Sequence, residues 1–233
     1  MFQTSLPVRE LQSYVLRQLD HFFPDNKTPG NDELFSRAFD RALERTEYCF
    51  KHVALTAYNR GDTTFFSHLH ADQYTVFLWF LSNSVWKAFE DEDIASKIFC
   101  LNKLLNGVMC MYDAKMPDIF LILHGSGTVL GKAAYSDFFV CCHGCTVGAA
   151  HGVYPVFKKG VALAPQSTVV GNCTIGQCST VGTNALIRNR DLEENHLFYC
   201  DVDTGRPMTK FVQNCWAQSF YNVPIPESGK TVG

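Results

Sequence analysis

Across "FKKGVALAPQSTVVGNCTIGQCSTVGTNALI", residues 157–187, a large apolar residue recurs at every sixth position. Phe157, Leu163, Val169, Ile175, Val181 and Ile187 keep that interval without a slip, and Gly176 and Gly182 directly follow their aliphatic residues. A period of six is neither the 3.6 of a helix nor the 2 of a plain strand. It fits a chain that runs one short strand, turns and repeats, sending one side chain per strand into a shared interior. Each coil then buries its face only by stacking on the next, as in a β-solenoid. A β-sandwich edge with chance spacing is the weaker reading of six matches in a row.

The beat extends upstream with one interruption. Leu130-Gly131 and Val147-Gly148 repeat the aliphatic-Gly pair seventeen residues apart, so three hexads have lost one residue within "KAAYSDFFVCCHGCT". From Val147 to Phe157 the gap is ten, which expels four residues as a loop within "AAHGVYPV". Solenoid insertions gather on one face, often the working one.

Before residue 115 the grammar is helical. Val8, Leu11, Val15, Leu19 and Phe22 share a helical face, with Pro7 in the first turn and Pro24 past the end. Phe35, Phe39, Leu43, Phe50 and Val53 support a second helix starting near Asn31-Asp32. "DQYTVFLWFLSNSVWKAF" is apolar nearly all round, the pattern of a buried helix, and Ile94, Ile98, Leu101, Leu105, Val108 and Met109 make a fourth. After about residue 190 the hexads stop, and the last stretch offers no period. The expected division is a helical region at 1–112, a solenoid at 113–190 and a tail at 191–233.

Composition narrows the function classes. A net charge of -3 with 18% charged residues provides no basic field for nucleic acid; Lys158-Lys159, Arg188 and Arg190 are a local exception. The opening "MFQTSLPVRELQSYV" lacks the apolar core of a signal peptide. The apolar run "QYTVFLWFLSNSVW" is too short to span a bilayer. The expectation is a soluble cytoplasmic protein with no membrane or nucleic-acid partner. In that compartment the ten cysteines are not a disulfide framework. Cys142 and Cys145, with His143 between them, have one Cys-x-x-Cys spacing. A second such pair is missing, so cysteine reads as a small stacking hydrophobe and no metal is expected.

Helices first, hexapeptide coils second and an expelled loop between coils: this order resembles the serine acetyltransferases among the hexapeptide-repeat acyltransferases. "HGSGTVLGKAAYSD" looks like that family's catalytic His ahead of a Gly-flanked hydrophobic run. "GVALAPQSTVVGNCTIGQCSTVGTNALI" looks like its later coils, which meet acetyl-CoA. The resemblance covers residues 113–190. It implies an α+β chain, an N-terminal helical region followed by a left-handed parallel β-helix of hexapeptide repeats, the known exception to right-handed crossovers. It also implies acetyl-CoA as co-substrate and a homotrimer or a dimer of trimers.

Carried over by residue, His124 matches the general base, since imidazole titrates near working pH and can take the proton of an attacking hydroxyl or amine. Asp113 is the first choice for the carboxylate that orients it and Asp118 the second. Gly148, Ala164 and Gly182 match walls of the acetyl-CoA groove, and Lys158, Lys159, Arg188 and Arg190 are cations for its phosphates. The acceptor pocket departs from the family. Leu123 stands where the family has Asp before the catalytic His, and Val153-Tyr154 stand where it has Arg-His before a Pro. His68 replaces an acidic residue, with Asp72 four positions on. A charged amino acid buried without partners costs several kcal/mol. The implied acceptor is therefore a small neutral or singly charged compound such as a sugar, met by His68, Asp72, His143, His151 and Tyr154. The competing readings are a true serine O-acetyltransferase, a zinc enzyme of the carbonic anhydrase type on the same fold, and a non-enzymatic scaffold.

Overall fold

The computed structural model describes residues 1–29, 33–89 and 92–226. It divides into two compact units, one of residues 1–51 and 56–113, the other of residues 52–55 and 114 onward.

The first unit holds four helices, α1 (Val8–Phe22), α2 (Glu33–Phe50), α3 (Ala71–Phe89) and α4 (Glu92–Asn106). In α1, Leu11, Val15 and Leu19 are fully buried, while Val8 and Phe22 at the ends of the same stripe stay about two-fifths exposed. Helix α3 is the centre. Val76 through Leu81 are six consecutive residues no more than 2% exposed, so this helix has no solvent face over that length. The start expected for α2 at Asn31-Asp32 lies outside the described residues.

Two helices end earlier than their apolar periodicity extends. Val53 is not helical: α2 ends at Phe50, and Val53 forms a β-bridge with Tyr221 in the second unit. Val108 and Met109 are not the end of α4. Gly107 takes φ +68°, its N–H donates to the Lys103 carbonyl, and the chain leaves the helix into strand β4 (Val108–Cys110). Apolar periodicity ran on past both ends because the residues there are buried in strands and bridges. The unit also carries a small sheet that helical spacing does not reveal, in which β3 (Thr63–Phe66) lies between β1 (Phe2–Thr4) and β2 (Asn59–Arg60).

The second unit is a parallel β-solenoid of three faces. The first face stacks β5 (Phe120–Leu123), β7 (Phe139–Cys142), β10 (Ala162–Leu163), β13 (Thr180–Val181) and β15 (His196–Cys200). The second stacks β6 (Thr128–Leu130), β8 (Thr146–Gly148), β11 (Thr168–Val170) and β14 (Leu186–Arg188). The third pairs β9 (Val156–Phe157) with β12 (Thr174–Ile175), extended by bridges from Ala134 and Leu192. All six hexad residues, Phe157 to Ile187, are at most 1% exposed, one per strand, as the period requires. Tyr135 stacks on Phe157 at 5.2 Å and 9° in the column that Ile175 continues.

Register locates the slip. Ala134 pairs with Val156, so Tyr135 stands at the level of Phe157, five residues after Leu130 instead of six. The missing residue falls at the corner Gly131–Ala134, which the Tyr135 hydroxyl spans by donating to the Gly131 carbonyl at 2.8 Å. The coils also outlast residue 190. Leu192 pairs with Ile175 and Phe198 with Val181, so the beat drops one residue between Ile187 and Leu192 and then resumes. Strand β16 (Pro207–Phe211) folds back antiparallel on β15 and ends the stack.

Candidate active site

Each coil turns three corners, and the corners stack into three edges. A corner needs a residue in the left-handed region, which accounts for Asn184 (φ 57°), Asn189 (φ 49°) and Asn195 (φ 57°) as well as several glycines.

His124 lies on the first edge, between faces one and two. Strand β5 ends at Leu123, and His124 itself takes φ 54°. Its corner is the long one. Ile122 and Leu130 hold equivalent positions to Cys141 and Val147 one coil on, yet they are two residues further apart in sequence. The excess is taken up by the turn His124–Gly127, in which the Ser126 N–H donates to the His124 carbonyl at 2.7 Å and Gly127 takes φ 76°. Buried Thr128 fixes the exit, its hydroxyl donating to the Cys142 carbonyl at 3.0 Å. The result is an exposed imidazole on a protruding, well-anchored corner.

His143 occupies the same edge one coil on. Gly144 N–H donates to the Ser126 carbonyl, Gln166 N–H to the His143 carbonyl, and Asn184 N–H to the Pro165 carbonyl, at 3.0, 2.9 and 3.1 Å. These bonds put Gly127, Gly144, Gln166 and Asn184 in register on successive coils, with backbones about 4.8 Å apart, and His124 and His143 stand just ahead of that column on the same edge. Gln166 and Asn184 escaped the sequence reading. The signal for them is their separation of eighteen residues, three hexads, which puts them at the same corner. Ala164 and Gly182 lie where face one runs into this edge, both within ladder hydrogen bonds to the next coil.

The expelled loop is on the second edge, between faces two and three. It is a tight hairpin: Ala150 and Val153 exchange both backbone hydrogen bonds at 3.1 Å, and His151 (φ 52°) and Gly152 (φ 77°) make the turn. Val153 and Tyr154 are each 45% exposed on its flank. Gly148 begins this loop, and Arg188 ends the strand two coils on in the same face. In one chain, then, His151 and Tyr154 are not brought to His124.

The remaining candidate residues scatter. Lys158 and Lys159 line a groove of about 510 Å³ on the third face, but they share it with Asp191, Glu193 and Glu194, so it is not a basic site. Asp118 precedes β5 at the end opposite His124, about 20 Å away at the rise of an extended strand; it cannot orient that imidazole within one chain. In the first unit, His68 Nδ1 is hydrogen-bonded to the Ser5 hydroxyl at 2.7 Å and its ring packs edge-on against Tyr14, and this burial lowers its pKa. Asp72 is buried in the first turn of α3, and its charge adds to the burial that raises the Tyr58 hydroxyl pKa well above the ordinary value. Asp113 is the last residue of the first unit. Among the described residues, no three His, Cys, Asp or Glu side chains converge on a metal position, and no helix is long and apolar enough to cross a membrane.

These features define a class: an α+β chain in which a helical region precedes a left-handed parallel β-helix of hexapeptide repeats, the serine acetyltransferase-like fold. No family model and no curated protein matches the chain by sequence. Among solved structures it is similar to serine acetyltransferase isoform 3 from Entamoeba histolytica in complex with cysteine, with TM-score 0.60, 14% identity, and 87% of this chain and 73% of that one covered. The Brucella abortus strain S19 serine acetyltransferase in complex with coenzyme A gives 0.58, 14%, 88% and 76%. The soybean serine acetyltransferase apoenzyme gives 0.60, 18%, 76% and 74%.

Proposed function

We propose that this chain is an acetyl-CoA-dependent acyltransferase that moves an acetyl group to a hydroxyl or amine of a small acceptor, with His124 as general base. The observation that carries the reading is the enlarged corner that lifts His124 out of an otherwise regular coil edge in a serine acetyltransferase-like fold. His124 takes the acceptor proton as the oxygen or nitrogen attacks the thioester carbonyl; the carbonyl carbon becomes tetrahedral, and coenzyme A leaves as its thiol. Asp113 carries the orienting role. A coenzyme A-bound relative of the same fold supports acetyl-CoA as donor.

The acceptor in this reading is a sugar or related compound and not free serine. Leu123 is buried in β5 and brings no carboxylate from the position just before the base, and the hairpin flank offers Val153 and Tyr154, which carry no charge for an α-carboxylate. Gln166, Asn184 and His143 supply hydrogen-bond partners suited to hydroxyl groups. His151 and Tyr154 lie on a different edge from His124, so a shared site needs the hairpin of a second copy; we therefore propose a homotrimer, which the helical units could pair into a dimer of trimers. The ten cysteines, none of them in a disulfide, suit a reducing cytoplasm, where acetyl-CoA is at hand. The test is to compare kcat/KM for L-serine, sugars and amino sugars with acetyl-CoA as donor, reading release of the free thiol. A sugar or amino sugar should win; serine as the best acceptor overturns the acceptor assignment, and no thiol release with any acceptor overturns the enzyme itself.

A further inference from the structure

The third edge of the solenoid, between faces three and one, is overlaid by the chain's own C-terminal strap. Val212 N–H donates to the Asn195 carbonyl at 2.8 Å, the Tyr221 hydroxyl to the Phe139 carbonyl at 3.0 Å, and Gln177 Nε2 to the Pro226 carbonyl at 2.9 Å. Under the strap, Cys178 and Cys215 line one cavity of about 500 Å³ together with Asn195, Gln213, Ser219 and Ile225. Cys178 is the left-handed corner residue of its coil, at φ 56°. Both sulfurs lie against Gly160: Cys215 Sγ donates to its carbonyl at 3.6 Å, and a Cβ built on Gly160 would stand 3.3 Å from Cys178 Sγ. The cavity is open to solvent, unlike the solenoid interior that encloses Cys141 and Cys145.

We propose that Cys178 and Cys215 are an oxidisable dithiol, converted by a peroxide into a disulfide that staples the C-terminal strap to the third edge of the solenoid. Cys215 is the attacking thiol. The Cys178 thiol donates a hydrogen bond to its sulfur, and with backbone N–H groups of Gln218 and Ala217 this lowers the Cys215 pKa to about 7; the same interaction, with burial, raises that of Cys178. A thiolate fraction at neutral pH is what peroxide chemistry selects. In the first step the Cys215 thiolate forms an S–O bond as the O–O bond of hydrogen peroxide breaks and hydroxide leaves, giving a sulfenic acid. In the second, Cys178 loses its proton and its sulfur attacks the sulfenic sulfur. The S–S bond forms, the S–O bond breaks, and the leaving hydroxide takes that proton and departs as water. Two thiols lose two electrons and one peroxide becomes two waters. Neither thiol belongs to the first edge, so the staple acts on the strap and leaves acyl transfer alone.

The test uses the full chain, reduced and then titrated with hydrogen peroxide, with remaining thiols alkylated and disulfides mapped by peptide mass spectrometry. The Cys178–Cys215 cross-link should be the first and dominant intramolecular disulfide, and cleavage of the strap by a low dose of protease should slow about tenfold on oxidation. Cys215→Ser should abolish both effects. Cys215 alkylation should be half-maximal near pH 7, should stay there in Cys178→Ser, which keeps a donor, and should move to higher pH in Cys178→Ala. Wild-type protein that keeps both thiols through peroxide treatment, or that forms other disulfides first, overturns the proposal. So does strap cleavage that oxidation does not slow, and an alkylation profile unchanged in Cys178→Ala.

Discussion

Coil stacking makes a graded prediction at four glycines, each of which directly follows an interior aliphatic residue in sequence: Gly131, Gly148, Gly176 and Gly182. Alanine at Gly176 is the severe case. Its Cβ would stand 2.4 Å from the Glu194 nitrogen, 2.6 Å from the Glu193 carbonyl carbon and 2.7 Å from the Glu194 Cα, all backbone atoms of the next coil. Backbone cannot swing aside as a side chain does, so the neighbouring coil must retreat by roughly 1 Å to reach an ordinary contact distance. That retreat stretches the bonds tying the coils together there: Gly176 N–H to the Leu192 carbonyl at 2.7 Å, Leu192 N–H to Thr174 at 2.9 Å, and Asn195 N–H to Gln177 at 2.8 Å.

Weakening two or three such bonds and straining the packing amounts to about 2–5 kcal/mol. At Gly148 the same change meets only Val170 Cγ2 at 3.9 Å, so Gly148→Ala should fall within about 1 kcal/mol of wild type. Gly131→Ala, facing the Val147 carbonyl oxygen at 2.6 Å, and Gly182→Ala, facing the Phe198 carbonyl oxygen at 3.0 Å, should lie between, in that order of severity. Urea unfolding followed by circular dichroism at 25 °C measures the series. Equal destabilisation by Gly148→Ala and Gly176→Ala, or a Gly176→Ala protein as stable as wild type, would refute the reasoning.

Three further outcomes are expected. His124→Ala should leave folding and acetyl-CoA binding intact while kcat falls by roughly 10²–10⁴, and Asp113→Asn should cost less, because it orients the base without transferring the proton; steady-state kinetics with circular dichroism controls decide both. Sedimentation velocity at micromolar concentration should give a trimer or a hexamer, and a monomer there defeats the shared site. His68, whose folded pKa is lowered from 6.5 by burial, favours its neutral form, so its contribution is complete above pH 6.5 and is lost as pH falls through the lowered value; denaturation midpoints between pH 5 and 8 should show that loss in wild type and a flatter profile in His68→Gln.

The coils were legible because a solenoid repeats one physical requirement, an interior side chain per strand, and Phe157 to Ile187 answer it at a constant interval. Legibility failed where the requirement was met at a different interval. The corner at Gly131–Ala134 and the one between Ile187 and Leu192 each drop a residue, which hid the last strand of face one behind an apparent end at residue 190. His124 could be found by its resemblance to a motif, but the length of its corner could not, because the extra residues show only when Ile122 and Leu130 are paired with Cys141 and Val147. Helix ends were misread at Val53 and Val108 because burial alone does not say whether an apolar residue sits in a helix or in a bridge. Nor could the sequence show that Lys158 and Lys159 share a groove with Asp191, Glu193 and Glu194.

The three edges of the prism are not equivalent, and their difference bears on assembly. The third is covered by the strap, whose Tyr221 is 3% exposed and whose backbone is tied to the His52–Leu55 segment through Ala54 N–H to the Phe220 carbonyl at 2.9 Å. The first carries His124 and a column of polar side chains, and the second carries a rigid hairpin with apolar Val153 and half-exposed Tyr154 at its flank. If copies of the chain assemble as proposed, two unlike edges would meet head to tail, the first edge of one copy against the second of the next. Such contacts close into a ring when the turn per subunit divides a full rotation, and edges of a three-sided prism are related by about a third of one. Closure at three gives every His124 a hairpin from its neighbour and leaves no hairpin over. The same placement that separates His124 from His151 and Tyr154 within one chain is thus what a trimer would need to bring them together.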